Sequence, residues 1–306
     1  IIGFGLMGRT HAAGYLAAAR GGMPVELRGV VGSLDGWEAD GHEGMAGSIT
    51  RFATAEELLE REDIQAVSIC SYTDSHVELA LAALVRRRHV LVEKPVSLRS
   101  SEVGRLARAA RHAGLVCMPA MYMRFWPGWP WLRNMVLGGE LGAVRRAEFT
   151  RTGARPTWGS SFYLDESRSG GALFDLHIHD VDFIRWCFGN PATVSSTGTS
   201  QDVTTHYSYT DLPVEVSARG AWLADPESPF SMRYQVEFER GEVRFDLATS
   251  ATARIFQAGA TIAVALPDES AYDAEVGHFL GLIGSRVERP DALLEEAVSV
   301  TRILEA

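Results

Sequence analysis

Asp175 and His179 stand four residues apart in the segment FDLHIHDVDFIRWCFG, residues 174–189, whose apolar residues predict a helix. Side chains four apart lie on one helix face, so the carboxylate can accept a hydrogen bond from one imidazole nitrogen and leave the other free to exchange a proton. We predict that His179 is an acid/base group and that Asp175 orients it. Such a histidine suits the removal of a hydroxyl proton while a hydride leaves the same carbon.

His177 and His179 also raise the question of a metal site. On a helix, side chains two residues apart point in different directions, and the spacing supplies no third ligand. We therefore predict no bound metal, and count His177 as well as His179 among the substrate contacts.

Glu93, Lys94 and Pro95 close the apolar strand HVLVE at residues 89–93. Pro95 lacks a backbone donor and ends the strand, so Lys94 is expected to project from the carboxyl edge of the sheet, where open α/β sheets bind ligands. A lysine there can hydrogen-bond a hydroxyl and stabilise negative charge that develops on its oxygen. A solvated surface lysine is the alternative interpretation.

The turn at the start of the chain has the pattern G-x-G-x-x-G between a predicted strand and a predicted helix. The first glycine permits the tight turn, the second lets the backbone approach a pyrophosphate, and the third allows close helix–strand packing. A glycine-rich turn without a ligand is the alternative. Six residues are predicted to hold a dinucleotide, namely Gly3, Phe4, Gly5, Leu6, Met7 and Gly8.

The choice between NAD and NADP depends on the end of the second strand, VELRGVV at 25–31. An acid that binds the ribose 2′-hydroxyl is expected there, yet the chain has Gly32 and Ser33. These small residues leave room for a 2′-phosphate, but no basic residue follows directly to pair with it. The predicted cofactor is therefore NAD or NADP.

Further cofactor and substrate contacts are expected at the same edge of the sheet and in the aromatic segments that follow. The predicted cofactor contacts are Ser33, Ser71, Tyr72, His76, Glu93 and Lys94. Aromatic faces and hydrogen-bond donors suit a sugar or polyol, although such residues also build domain cores. The predicted substrate contacts are Tyr122, Arg124, Trp158, His177 and His179.

Residues 1–120 alternate short β-rich runs with helical stretches, which is typical of βαβ units and a parallel sheet. After residue 120 the chain carries alternating polar and apolar runs, which predict a large, mainly antiparallel open sheet with one wet face, closed by two C-terminal helices. We therefore predict an α/β Rossmann domain over 1–120 and an α+β domain for substrate binding and oligomerisation over 121–306.

The composition excludes several classes of partner. A formal net charge of -10 lacks the basic footprint of a nucleic-acid or polybasic membrane-surface protein. No apolar run reaches the roughly 18 to 20 residues of a membrane span. The three cysteines are far apart and form no C-x-x-C pair, which fits a reducing, cytoplasmic setting. A small-molecule substrate is favoured.

The motifs GFGLMGRTHAAGY, SYTDSH, HVLVEKPVSL, MRFWP and GGALFDLHIHDVDFIRWCFGNP resemble, in order and spacing, the glucose-fructose oxidoreductase and inositol dehydrogenase (Gfo/Idh/MocA) family. The resemblance spans nearly the whole chain, and its most specific marks are E-K-P and the D-x-x-x-H after a Gly-Gly pair. It implies NAD(P)-dependent oxidation or reduction of a sugar, inositol or related polyol, and oligomers, dimers or tetramers, formed through the C-terminal sheet.

The same resemblance implies that Lys94 lies between nicotinamide and substrate, that His179 accepts and donates the proton, and that Asp175 orients it. Family members that prefer NAD generally carry an acid where Gly32 stands, and Tyr72 replaces the usual proline of its loop. Two other functions stay open on this scaffold. One is a non-catalytic NAD(P)-sensing regulator, and the other is a glycosidase that oxidises and re-reduces its sugar with a bound NAD.

Overall fold

The computed structural model describes residues 1–37, 49–157, 159–284 and 293–306, and it divides into two compact units. The first unit comprises Ile1–Phe125 and Glu269–Val298, and the second comprises Trp126–Asp268 and Ser299–Ala306. The sequence suggested a single boundary near residue 120. The segment at 269–298 instead belongs to the first unit, because its helix packs on a helix near the start of the chain.

The strands and helices, numbered in chain order, have the following bounds. The strands are β1 Gly29–Val31, β2 Thr50–Phe52, β3 Ala66–Ile69, β4 His89–Val92, β5 Cys117–Pro119, β6 Val144–Ala154, β7 Thr193–Thr199, β8 Asp202–Ser208, β9 Glu215–Leu223, β10 Ser231–Phe238, β11 Gly241–Asp246, β12 Ser250–Gln257 and β13 Ala260–Ala263. The helices are α1 Leu6–Arg20, α2 Ala55–Leu59, α3 Thr73–Val85, α4 Ser100–Ala113, α5 Gly128–Gly138, α6 Ser160–Leu164, α7 Glu166–Ser169, α8 Ile178–Phe188, α9 Ala271–Ile283 and α10 Leu294–Glu305. A short 3₁₀ turn covers Tyr122–Arg124, and a wide turn of π type covers Leu173–His177.

The first unit is built on the predicted parallel sheet. Ile2 bridges to β1 on one side and to β3 on the other, so the order is β2, β1, Ile2, β3, β4, β5, all parallel. Residues of β3 and β4 such as Ile69 and Leu91 are fully buried, as expected for strands covered on both faces. The carboxyl ends of these strands therefore gather the glycine turn, Ser71 and Glu93 at one edge of the sheet.

The helix α9 explains why a late segment joins the first unit. It lies against α1, and a Cβ on Gly14 would stand 3.0 Å from the side chain of Val276. Ser270 caps its start by accepting a hydrogen bond from the backbone nitrogen of Asp273. The small residue on α1 thus permits a close crossing of the two helices.

The second unit contains the predicted large sheet. Its order is β13, β12, β11, β10, β6, β9, β8, β7, with β6 and β9 parallel and every other described pair antiparallel. Alternation along β6 buries Ala147, Phe149 and Arg151 on one face, where α8 packs. Trp129 of α5 makes edge-to-face contacts with Phe183 and with aromatic rings of β10 and β11, which forms the core.

An ion pair between Arg151 and Asp180 is buried in this core. The Arg151 guanidinium on β6 donates to the Asp180 carboxylate on α8 at 3.2 Å, and the two side chains are 1% and 2% exposed. Arg151 also donates to the sulfur of Met232 and lies over the Trp129 ring. The pair therefore fixes α8, which carries His179 one residue before Asp180, against the sheet.

Replacing Asp180 by Ala should lower the free energy of unfolding by about 3 to 5 kcal/mol, because it leaves a buried guanidinium uncompensated. The matched control is Asp202→Ala, which removes a half-exposed pair with Arg219 and should cost about 1 kcal/mol or less. Urea unfolding followed by circular dichroism measures both. Equal losses for the two variants would show that the buried pair does not hold α8.

Candidate active site

The three glycines of the first turn stand in different surroundings. Gly3 has a φ of 89°, and a Cβ there would lie 2.6 Å from the backbone nitrogen of Ser71. A Cβ on Gly8 would lie 2.1 Å from the carbonyl oxygen of Gly3, so this position lets α1 approach the turn. A Cβ on Gly5 would meet nothing within 4 Å. The protein's own packing thus explains the first and third glycines, and it leaves the middle one open.

The open side of the turn fits the pyrophosphate of a dinucleotide. Helix α1 begins at Leu6 with no side-chain cap from Gly5 and no acid in its first turn. Its first backbone amides are therefore available to an anion, which the helix dipole also favours. Phe4 is buried and packs edge-on against Trp37, so only its backbone borders the open side.

The backbone of Lys94 is held by a buried pair. His11 Nε2 on α1 lies 3.1 Å from Glu93 Oε1, and Glu93 Oε2 accepts a hydrogen bond from the backbone nitrogen of Lys94 at 3.0 Å. The Lys94–Pro95 peptide bond is cis. Lys94 is the only lysine of the chain, and it stands partly exposed at the carboxyl end of β4.

The charges behind Lys94 follow from burial and pairing. Burial would lower the pKa of His11, but Cys70 and the Glu93 carboxylate outweigh it and raise that pKa well above its usual value. Burial opposes ionisation of Glu93, yet the contact with His11 leaves the pKa of Glu93 below its usual value. The pair is therefore charged, as a salt bridge within the first unit.

A second acid, Glu275 of α9, lies near this pair and escapes sequence reasoning. It is fully buried, and neither carboxylate oxygen has a hydrogen-bond partner among the described residues. Burial raises the pKa of Glu275 well above its usual value; the His11 charge opposes this shift and the Glu93 charge adds to it. Burial therefore favours the protonated form of Glu275. Glu275 comes near the His11–Glu93 pair only through the packing of α9 on α1, so no local sequence motif indicates this proximity.

The loop after β3 is tied to the Lys94 segment through His76. Its two ring nitrogens lie 2.9 Å from the carbonyl oxygens of Ser71 and Pro95, and the side chain is buried. Direct contact between His76 and the cofactor was the expectation. The structure instead engages both nitrogens with protein carbonyls, so His76 fixes the loop that carries Ser71 and Tyr72. Tyr72 itself is 48% exposed.

The end of β1 explains why an acid is missing there. Gly32 has a φ of 146°, and a Cβ on it would lie 2.8 Å from the backbone nitrogen of Phe4. Any side chain at this position would therefore displace the glycine turn. Ser33 is exposed, and its hydroxyl oxygen accepts a hydrogen bond from the backbone nitrogen of Asp35.

In the second unit, Asp175 lies in the wide turn that precedes α8. A carboxylate oxygen of Asp175 accepts a hydrogen bond from the indole nitrogen of Trp222 at 3.2 Å. Trp222 also contacts the Tyr163 ring and the Arg155 guanidinium. Sequence reasoning missed Trp222, because it stands at the end of β9, 47 residues from Asp175, with no spacing signal.

The segment at 173–188 is not one regular helix. The helix α8 begins at Ile178, so His179 lies in its first turn and is 3% exposed, whereas Asp175 is partly exposed. Turns of π type are rare and occur often at functional sites. The roles of Asp175 and His179 remain predictions.

His177 faces the sheet. Its side chain is fully buried, with Nε2 3.0 Å from the Thr205 hydroxyl on β8, and its Cβ would lie 2.5 Å from a Cβ placed on Gly220 of β9. Burial, and then the Arg151 charge, lower the pKa of His177 to about 4. The expectation that His177 contacts substrate is not supported, since its polar atoms are enclosed in the unit.

The other three predicted substrate residues differ in their surroundings. Arg124 is buried, and its guanidinium is paired with Glu296, so this pairing rather than substrate explains its position. Tyr122 stacks on Tyr272 at 4.9 Å and is partly exposed, so its contact with substrate stays a prediction. Trp158 lies outside the described residues.

The described part of the chain shows neither a metal-binding cluster nor a membrane-spanning helix. It contains no group of three or more His, Cys, Asp or Glu side chains placed to hold a metal ion. None of its helices combines the length and apolar character that crossing a bilayer requires.

Two models of one protein family match the chain. The first is described as an oxidoreductase family with an NAD-binding Rossmann fold and matches residues 1–121. The second is described as the GFO/IDH/MocA C-terminal domain and matches residues 129–254. The matches follow the chain order of the two kinds of sheet.

Curated relatives match part of their length. Myo-inositol 2-dehydrogenase of Thermotoga maritima is 32% identical over 134 residues, which are 44% of this chain and 39% of that protein. Trans-1,2-dihydrobenzene-1,2-diol dehydrogenase of Bos taurus is 32% identical over 151 residues, 48% of this chain and 44% of that protein. The first relatives are matched over only 37% to 58% of their length.

A solved structure supports the fold over the whole chain. The oxidoreductase domain protein from Kribbella flavida is 23% identical and has a TM-score of 0.82, covering 100% of this chain and 94% of that one. The predicted fold class, a Rossmann sheet followed by a large, mostly antiparallel sheet, is therefore confirmed.

The pKa of His177 gives a stability prediction. Since burial depresses this pKa to about 4, the unfolded chain takes up the proton first, at about pH 6.5. The stability due to neutral His177 is complete above pH 6.5 and is lost as the pH falls towards 4. His177→Gln should reduce the fall in unfolding free energy over this range by up to about 3 kcal/mol. Urea unfolding at several pH values measures it, and an unchanged slope would contradict the assignment.

Replacing Gly5 by Leu should abolish dinucleotide binding and leave the fold intact, because its Cβ meets no protein atom but occupies the open side of the turn. The control is Gly277→Leu on α9, where a Cβ also meets nothing within 4 Å. Calorimetric titration with NAD and NADP, together with thermal melting, compares the variants. Retained affinity in the folded Gly5 variant would show that the turn holds no pyrophosphate.

Proposed function

Because the chain belongs to the Gfo/Idh/MocA oxidoreductase family, we propose that it catalyses hydride transfer between NAD(P) and a secondary hydroxyl or ketone of a sugar, inositol or related polyol. The observation that carries the proposal lies in the first unit. A glycine turn with an open side and the only lysine of the chain stand at the carboxyl edge of one sheet. A buried pair, His11 with Glu93, links them.

The proposed chemistry divides between cofactor and protein. When bound, NAD(P) supplies the nicotinamide carbon that accepts or returns the hydride. The Lys94 amine donates a hydrogen bond to the substrate oxygen and stabilises its negative charge as the hydroxyl proton leaves. His179 takes up that proton during oxidation and returns it during reduction.

Asp175 is proposed as the group that orients His179. The bond from the Trp222 indole holds one carboxylate oxygen of Asp175, which limits the positions that its side chain can adopt. A fixed carboxylate favours one imidazole tautomer and stabilises the imidazolium that forms when the proton is taken up. The wide turn at Leu173–His177 sets where Asp175 stands relative to the start of α8.

The substrate class rests on shared chemistry. The names of the two curated relatives describe dehydrogenases of a cyclohexane polyol and of a cyclic vicinal diol. The substrates in both names carry a secondary hydroxyl on a six-membered carbon ring, next to a second hydroxyl. We propose this arrangement for the substrate of this chain as well, with Tyr122 offering an aromatic face to the ring.

The assembly is proposed to be a dimer or tetramer formed through the sheet of the second unit. The face of this sheet opposite the buried residues carries ion pairs within single strands, such as Arg146 with Glu148 and Arg244 with Glu242, so an interface on it would be polar. None of the three cysteines, all within the described residues, forms a disulfide, which agrees with the predicted cytoplasmic location; the location stays a prediction.

Lys94→Met and His179→Asn should each lower kcat/KM by about a hundredfold or more, the size typical of a positioned proton-transfer group. The reaction is followed at the reduced-nicotinamide absorbance band with a panel of inositols and sugars, and with each cofactor separately. NAD(P) affinity, measured by calorimetric titration, should change little.

His112→Asn, which alters an exposed histidine on α4, is the control. Because Lys94 is the only lysine, reductive methylation with labelled formaldehyde gives a single side-chain NMR signal, which should shift when NAD(P) binds. Unchanged rates in both active-site variants would remove the assignment. Dinucleotide binding without turnover of any polyol would favour a sensing role instead.

A further inference from the structure

Two arginines from different elements flank the loop that follows β1. Arg51 of β2 donates from Nε to the carbonyl oxygen of Gly32 at 3.0 Å. Arg9 of α1 donates to the carbonyl oxygen of Asp35, and its guanidinium lies over the Phe4 ring at 5.7 Å from the ring centre. Positive charge therefore borders the loop, although the residues that directly follow β1 supply none.

The Arg51 guanidinium keeps donors available. Arg51 is exposed, and no carboxylate among the described residues pairs with it. Its Nε bond to Gly32 holds the planar group at the carboxyl end of β1, so that its terminal nitrogens can serve another acceptor. The Ser33 hydroxyl accepts from the Asp35 backbone, which leaves its own hydrogen free to donate.

The same loop cannot carry the acid that would bind a free ribose 2′-hydroxyl. Gly32 stands where that acid is expected, and its positive φ and the 2.8 Å approach to Phe4 exclude any side chain. Within the described residues of the loop, the nearest acid is Asp35, three residues further along the chain. Steric exclusion therefore leaves no acid at the position that would bind the ribose 2′-hydroxyl of NAD. The guanidiniums of Arg51 and Arg9 lie near this position instead.

We propose that Arg51, Arg9 and Ser33 form a subsite for the 2′-phosphate of NADP, so that the chain binds NADP in preference to NAD. The inference rests on the proposed function, because it assigns one part of the dinucleotide that hydride transfer requires. A phosphate monoester offers three strong acceptor oxygens, and a planar guanidinium can donate to two of them together. A serine hydroxyl beside it adds a third donor.

Adenosine 2′,5′-bisphosphate and 5′-AMP test the subsite directly, since they differ only by the 2′-phosphate. Calorimetric titration of the whole chain should show the bisphosphate binding about tenfold or more tightly than AMP. Arg51→Ala should weaken bisphosphate binding about tenfold to a hundredfold, as expected for charged hydrogen bonds, and leave AMP binding unchanged. Arg51→Lys, which keeps the charge and loses the planar fork, should fall between them.

Arg108→Ala is the matched control, because it removes an exposed guanidinium on α4 of the same unit and should alter neither affinity. Equal binding of the two nucleotides by the unaltered chain would overturn the proposal, and so would an Arg51→Ala variant that loses nothing. If Asp35 binds the ribose instead, AMP will bind more tightly and Asp35→Asn will weaken it, which also overturns the proposal.

The dinucleotides separate this inference from the proposed function. A lower dissociation constant for NADP than for NAD, reversed or abolished by Arg51→Ala, supports the subsite. Tighter binding of NAD, with polyol turnover retained, defeats the subsite and leaves the oxidoreductase function standing. Failure of both dinucleotides to bind defeats both proposals.

Discussion

The buried contact between His11 and Glu93 joins the helix behind the glycine turn to the strand end that carries Lys94. The Glu93 carboxylate contacts both segments, because one oxygen lies at His11 and the other accepts a hydrogen bond from the backbone nitrogen of Lys94. The position of α1 and the path of the chain at Lys94 are therefore set by the same side chain. A bound dinucleotide at the turn and an amine at the strand end would share this reference point.

Burial in this region disfavours any charge beyond the His11–Glu93 contact. The pKa of His11 is raised and that of Glu93 is lowered, which favours a charged pair, whereas burial raises the pKa of Glu275, close by on α9. An ionised Glu275 would place a second negative charge in a low-dielectric region, at a cost of several kcal/mol. The helix α9 thus contributes an acid whose neutral form is favoured by burial.

The sequence was informative where local pattern and local structure coincide. Gly3 and Gly8 stand where a Cβ would clash with backbone, and alternation along strands such as β6 predicts which side chains are buried. Local sequence patterns did not indicate the contacts between segments that are distant along the chain. Glu296 beside Arg124, Trp222 beside Asp175 and the return of α9 to the first unit come from tertiary packing, which leaves no local spacing.

His177 shows a different limit of sequence reasoning. On a regular helix His177 and His179 point in different directions, and His177 is nevertheless among the predicted substrate contacts. The wide turn at Leu173–His177 breaks that regularity and directs His177 to Thr205 on the sheet. A single change in helical pitch decides which polar residues of one segment are enclosed, and composition alone does not encode it.

The use of basic residues agrees with a special role at position 94. Lys94 is the only lysine among the 29 lysines and arginines of the chain. Among the described arginines, Arg151 forms an ion pair, Arg133 stacks on an aromatic ring and Arg51 holds a loop carbonyl. A guanidinium stays charged at every physiological pH, whereas an amine is a compact charge whose pKa responds to its surroundings. The chain places an amine side chain once, at the strand end where Glu93 holds the backbone.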